Sequence, residues 1–316
     1  MEENKIITDS EYVLVTDGIS KFYKSQRVLF NVSMHVKKGD IYGFVGENGA
    51  GKTTIIRIIC GLTRPEAGSY KLFGIDSDDK NILEARKKCN AIVEAPSIYH
   101  NLSAHENLKM QMRMIGLPVD LNRIADLLQI VGLEGVSVKK KVGNFSLGMR
   151  QRLGIAMCLV NDPEFLILDE PLNGLDPEGI VNMRNLILKL NKEKNITFLI
   201  SSHILTELSL VATKYGIISR GELVKEISKE ELENVEKKET LIKTTDNEKA
   251  FNYLKTKLPS DRLDYLDNTI IITGDIDINE LVKEFLELQV AIVDIQTRQA
   301  SIEDYYLSIV GGVRNA

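Results

Sequence analysis

Runs of β-branched and apolar residues alternate with amphipathic stretches as far as about residue 225. This is the pattern of a mixed α/β unit built on a largely parallel sheet. Tyr12–Val15 and Val28–Val36 predict opening strands. Ile41–Val45 predicts a short buried strand that runs into a glycine-rich turn, with a helix over Lys52–Cys60. Phe165–Leu168 and Thr197–Ser201 predict two further buried strands, separated by a helix over Gly179–Lys192. Residues from about 101 to 154 follow another rhythm, because Glu106–Ile115 and Asn122–Val131 carry helical spacing with little strand signal. They predict a helical subdomain over about 97–155. Its methionines 110, 112 and 114 suit either ordinary packing or an adaptable partner surface.

The rhythm breaks at the Lys- and Glu-rich stretch from residue 228, which predicts a linker or an exposed helix over 228–239. It separates a first domain over 10–227 from an accessory α+β domain over 240–316. In the latter, strand Thr240–Thr244, helix Glu248–Leu258, strands Arg262–Tyr265 and Thr269–Thr273, helix Ile278–Leu288 and strand Ala291–Thr297 give the β-α-β-β-α-β order of a ferredoxin-like module. A last helix is expected over Ile302–Val310.

Composition adds mainly exclusions. With 316 residues, 43% hydrophobic and 27% charged, the chain can bury a large core and a small one. A net charge of −5 supplies no global field for nucleic acid, so none is expected as a partner. The longest apolar runs fall far short of the roughly 20 residues that cross a bilayer, and Met1–Ser10 has no secretory pattern. A cytoplasmic protein is expected. Cys60, Cys89 and Cys158 form no CxxC pair and read as reduced core thiols.

The chemistry concentrates at predicted strand ends. Gly46-Glu47-Asn48-Gly49-Ala50-Gly51-Lys52-Thr53 matches G-x-x-x-x-G-K-[ST] between a buried strand and a helix, with Thr54 next in the chain. Such a loop turns consecutive N–H groups onto phosphates, while Lys52 reaches the β- and γ-phosphates of ATP and the Thr53 hydroxyl ligates Mg²⁺. Asp169 and Glu170 end the apolar run Phe165–Leu168, placing one carboxylate for the Mg²⁺ shell and the next as general base. Read alone, the pair equally marks a strand end in solvent. Ser146 reads as an N-cap before a helix starting near Leu153. Gly174-Leu175-Asp176-Pro177 reads as a turn, and His203 comes just after the strand at Thr197–Ser201.

Together and in this order, these elements resemble the ATPase subunits of ABC transporters, over residues 10–225. The resemblance implies a P-loop NTPase fold in which the Lys52 loop is Walker A and Asp169–Glu170 ends Walker B. Ser146, Gly148 and Met149 lie in the signature motif, Asp176 in the D-loop, and His203 is the switch histidine. It also implies that Tyr23 stacks on adenine, although a core or surface tyrosine remains open. The signature departs from the family's usual L-S-G-G-Q at Phe145, Leu147 and Met149, leaving Ser146 and Gly148. Glu94 stands where the family usually has glutamine, and either approaches the Mg²⁺ shell or is an ordinary surface residue. The spelling around Ser146, Glu94 before Ala95-Pro96, and the closing Ala300–Tyr306 resemble the bacitracin and lantibiotic export branch.

That branch implies a homodimer closed around ATP, a separate integral membrane permease, and a position on the inner face of the cell membrane. The rival is a soluble ABC ATPase not coupled to transport. Only 94 residues separate Lys52 from Ser146, which leaves no room for the long coiled coil of repair ATPases.

Overall fold

The computed structural model describes residues 11–235, 238–259, 262–266, 268–299 and positions 305, 306 and 309. The chain divides into two compact units, Met1–Lys229 and Glu230–Ala316.

In chain order the first unit runs β1 (Tyr12–Tyr23), β2 (Gln26–Val32), β3 (His35–Lys37), β4 (Ile41–Val45), α1 (Lys52–Ile59), β5 (Ala67–Leu72) and β6 (Ile75–Asp76). Next come α2 (Ile82–Lys87), β7 (Cys89–Ile92), α3 (Ala104–Met114), α4 (Leu121–Ile130), α5 (Leu147–Cys158), β8 (Phe165–Asp169) and α6 (Pro177–Lys194). It ends with β9 (Thr197–Ser202), α7 (Leu205–Ser209), β10 (Lys214–Ser219) and β11 (Glu222–Ser228).

Two sheets result. An antiparallel sheet orders β2-β1-β5-β6, with β3 also on β1. A second sheet orders β11-β10-β4-β9-β8-β7, and from β10 to β7 every neighbour is parallel. β4 and β8 are buried at every position, which explains their unbroken apolar sequence, since both sheet faces are covered. The parallel strands β4, β9, β8 and β7 are consecutive neighbours, so the loops at their C-terminal ends open at one edge.

Two sequence expectations need correction. Val28–Val36 is not one strand: at Ser33 and Met34 side-chain hydroxyls replace ladder partners, with the Gly18 N–H donating to Ser33 Oγ at 2.9 Å and the Met34 N–H to Thr16 Oγ1 at 2.9 Å, and the segment splits into β2 and β3 with separate registers on β1. The helix expected near Leu153 begins at Leu147, because the Ser146 hydroxyl accepts the Met149 N–H at 3.2 Å and caps it. Strands β5, β7, β10 and β11 carry only a weak sequence signal, being short or interrupted by polar residues.

The helical stretch is α3, α4 and α5, with α3 and α4 packed on α5. Ser103 and Glu106 form a capping box that starts α3, and Asp120 caps α4. Met112 is buried, whereas Met110 and Met114 are exposed, so the methionines divide between packing and surface. The cysteines are free, and burial pushes the thiol of Cys60 up to about 11 and those of Cys89 and Cys158 to about 12. They stay protonated and unreactive near neutral pH.

The charged segment is helical as α8 (Lys229–Val235), with Leu232 buried. The second unit continues with β12 (Lys238–Thr244), α9 (Asn247–Lys257), β13 (Leu263–Leu266), β14 (Thr269–Thr273), α10 (Ile278–Glu287) and β15 (Ile292–Gln299). Its sheet orders β13-β14-β12-β15, antiparallel throughout, which is ferredoxin-like topology. Ile242, Ile270 and Ile272 on the sheet pack against Ala250, Leu254, Leu281 and Phe285 on the helices. The helix expected over Ile302–Val310 lies outside the described residues except at 305, 306 and 309.

Candidate active site

The P-loop joins the end of β4 to α1. Gly46 is required by close approach, since a Cβ there would lie 2.4 Å from the Ile218 carbonyl oxygen. Gly51 is required by conformation, at φ +107°, and by Leu29, whose Cδ2 would sit 2.6 Å from a Cβ. Between them Glu47, Asn48 and Gly49 are exposed and Ala50 is buried. Gly51 offers no side chain to cap α1, whereas Ser146 and Asp176 cap α5 and α6. The first-turn amides of α1, including those of Thr53 and Thr54, are thus left for an anion at the positive end of the helix.

Lys52 is only 5% exposed. Its ammonium donates to the Gly46 carbonyl at 2.6 Å and the Glu47 carbonyl at 3.2 Å, and pairs with Glu170 Oε1 at 3.2 Å. These three acceptors match its three donors.

Strand β8 delivers Asp169 and Glu170. Asp169 is 2% exposed. Its Oδ2 accepts the Thr53 hydroxyl at 2.8 Å and its Oδ1 accepts the Ser201 hydroxyl at 2.6 Å. A hydroxyl and a carboxylate beside a phosphate cradle are hard oxygen donors of the kind Mg²⁺ takes together with phosphate oxygens, so Thr53 and Asp169 fit that ion. Glu170 sits at φ +50°, held there by its N–H donating to Ser201 Oγ at 2.8 Å. Its Oε2 lies 2.8 Å from His203 Nδ1. An ionised carboxylate can only accept, so Nδ1 carries the proton in that pair.

The other expected residues fall into separate groups. Tyr23 ends β1, is 43% exposed, and has Lys21 Nζ 5.4 Å from its ring centroid. Its hairpin leans on the P-loop through Val28 and Leu29 beside Gly51. Ser146, Gly148 and Met149 form the first turn of α5, which packs on the turn before α6: Leu147 approaches Gly174, and Leu175 approaches Gly148. Asp176 caps α6 by accepting the Gly179 N–H at 3.0 Å. Among the described residues no hydrogen bond joins this group to the P-loop. Glu94 lies just after β7 at φ +62°, and its carboxylate accepts from Arg57 Nη2 at 2.6 Å. The chain just beyond it is fixed to α5, where a Cβ on Gly154 would lie 2.5 Å from Pro96.

Sequence reasoning assigned no role to Ser201 or Arg57. The doubled serine before His203 at a strand end was the available signal for the first; nothing local marked the second.

Comparison with known proteins agrees with this geometry. The family model described as "ABC transporter" matches residues 29–173. The bacitracin transport ATP-binding protein BcrA of Bacillus licheniformis is 42% identical over 307 residues, covering 95% of this chain and 98% of the relative. The lantibiotic transport ATP-binding protein SrtF of Streptococcus pyogenes is 41% identical over 224 residues, 71% of this chain and 94% of its own length. A dimeric ATP-binding cassette solved in a post-hydrolysis state with ADP and Pi shares the fold at a TM-score of 0.61 and 24% identity, over 68% of this chain and 98% of that one. The chain therefore belongs to the ABC transporter family, as an ATP-binding and ATP-hydrolysing subunit of the branch that includes the bacitracin and lantibiotic transport ATP-binding proteins.

Proposed function

We propose that this ATPase energises export of an antimicrobial peptide of the bacitracin or lantibiotic type through a separate membrane permease, working as a homodimer on the cytoplasmic face of the membrane. The observation that carries the reading is similarity to a bacitracin transport ATP-binding protein along almost the whole of both chains. No described helix is long and apolar enough to cross a membrane, in keeping with a permease on another chain.

In this reading Tyr23 stacks on adenine, the Gly46–Thr54 loop wraps the phosphates, and Thr53 and Asp169 hold Mg²⁺. That Ser146 and Asp176 make only local capping hydrogen bonds, to Met149 and Gly179, is in keeping with a site completed by the same residues of a second copy. The ion pair between Lys52 and Glu170 gives the site its order of events. An arriving γ-phosphate competes for the Lys52 ammonium, and the carboxylate released from it can then polarise the attacking water, with His203 orienting it.

A groove of about 380 Å³ between the β7 edge and α5, lined by Leu62, Asn90, Pro96, Gln111, Gly154 and Met157, is the proposed seat of the permease. Its wall is the segment immediately after Glu94, so events at the metal reach the groove through Pro96.

A host strain deleted for this chain tests the function. Deletion is expected to raise sensitivity to bacitracin or a lantibiotic severalfold, with rescue by the wild-type chain and none by Glu170→Gln. Unchanged sensitivity to both peptide classes would remove the export reading and leave the ATPase.

A further inference from the structure

Glu94 is held in an unusual way. The Ala95 N–H donates to the Val93 carbonyl at 2.8 Å, two residues apart, with Glu94 between them at φ +62°. This is a three-residue γ-turn of the positive-φ kind, which is rare and strained for a residue with a side chain. Its carboxylate reaches outward to Arg57 Nη2 at 2.6 Å. Arg57 lies four residues after Thr53 on α1, so the two share a face of that helix one turn apart. The Glu94 carboxylate is thus held by a side chain rooted one helical turn from Thr53, beside a cation rather than in the Thr53–Asp169 pair. Glu94 and Glu170 also line one cavity of about 240 Å³.

The Arg57–Glu94 pair is open to water, with side chains 41% and 64% exposed. Exposed pairs are weak, so the partners of Glu94 are readily exchanged. We infer that Arg57 is a positioning residue that competes with Mg²⁺ for the Glu94 carboxylate, holding it out of the metal shell and setting how readily the turn between the ATP site and α5 changes partner. The inference rests on the reading that Thr53 and Asp169 hold Mg²⁺.

Mn²⁺ affinity in the presence of the non-hydrolysable analogue AMP-PNP, read from the electron paramagnetic resonance of free Mn²⁺, tests this on the full chain without turnover. Arg57→Met keeps the aliphatic stem and removes the cation. It is expected to tighten Mn²⁺ by about two- to fivefold, the range an exposed pair supports, while Arg57→Lys stays near wild type. With Glu94→Gln also present, the effect of Arg57→Met is expected to vanish. No tightening, or tightening that persists undiminished with Glu94→Gln, overturns the inference alone. A wild-type chain that binds AMP-PNP but no Mn²⁺ overturns both the inference and the reading on which it rests.

Discussion

Glu170→Gln is expected to lower the steady-state ATPase rate by roughly two to four orders of magnitude, the usual contribution of a positioned general base, while ATP binding stays within a few fold of wild type. The geometry separates these effects. The Glu170 backbone is fixed independently of its carboxylate, through the Ser201 hydroxyl. A glutamine oxygen can still accept from Lys52, and its amide N–H can donate to His203 Nδ1 once the imidazole proton moves to Nε2, so the cradle keeps its form. The capacity to take a proton from water is lost. Phosphate release under saturating ATP measures the rate, and titration with a fluorescent ATP analogue measures the binding. A rate within tenfold of wild type would remove Glu170 from the role of base.

Lys52→Met should act at the earlier step, weakening ATP binding by at least an order of magnitude and leaving no measurable turnover. Each charge-assisted hydrogen bond to a phosphate contributes about 1.5–3 kcal/mol, and the substitution also leaves Glu170 facing the phosphates without its counter-ion. Repulsion between that carboxylate and the γ-phosphate adds to the loss, because the pair sits where water is scarce: the Lys52 side chain is 5% exposed and that of Glu170 20%. Removing the carboxylate charge as well, in Lys52→Met with Glu170→Gln, should therefore restore part of the binding but none of the turnover. Equal affinity in the single and double variants would show that the two residues do not share the phosphate site. The same titration reads both variants.

Much of this site was legible in the sequence because chemistry and strand ends coincide. Ile41–Val45 and Phe165–Leu168 are apolar at nearly every position, as strands covered on both faces must be, and the turn at the C-terminal end of each lies where a ligand meets a parallel sheet. The accessory unit was legible for a similar reason, since its alternating strands and amphipathic helices each bury one face. Contacts between distant segments were less accessible. His203 lies beside Glu170 because β9 and β8 are parallel neighbours in register, Asp169 opposite Ser201, and nothing local to His203 states this. The pairing of Arg57 with Glu94 likewise depends on α1 and the turn after β7 meeting in space. Local hydrogen bonding also overrode pattern at Ser33 and Met34, where side-chain hydroxyls interrupt the ladder and divide an apolar run into two strands, and at Ser146, whose cap starts α5 within a stretch of glycine and charge.

In the proposed function two copies of this chain close around ATP, each supplying Ser146 and Gly148 to the P-loop of the other. The most direct test is the mass of Glu170→Gln in solution by light scattering, without nucleotide, with Mg²⁺–ATP and with Mg²⁺–ADP, together with the nucleotide retained per chain. The expected result is a doubling of mass with ATP alone, one ATP held per chain, and loss of the dimer when Ser146→Arg is added, since a long cation there obstructs the facing phosphates. A chain that binds ATP and remains a monomer at micromolar concentration, or a dimer indifferent to both nucleotide and Ser146, would contradict it.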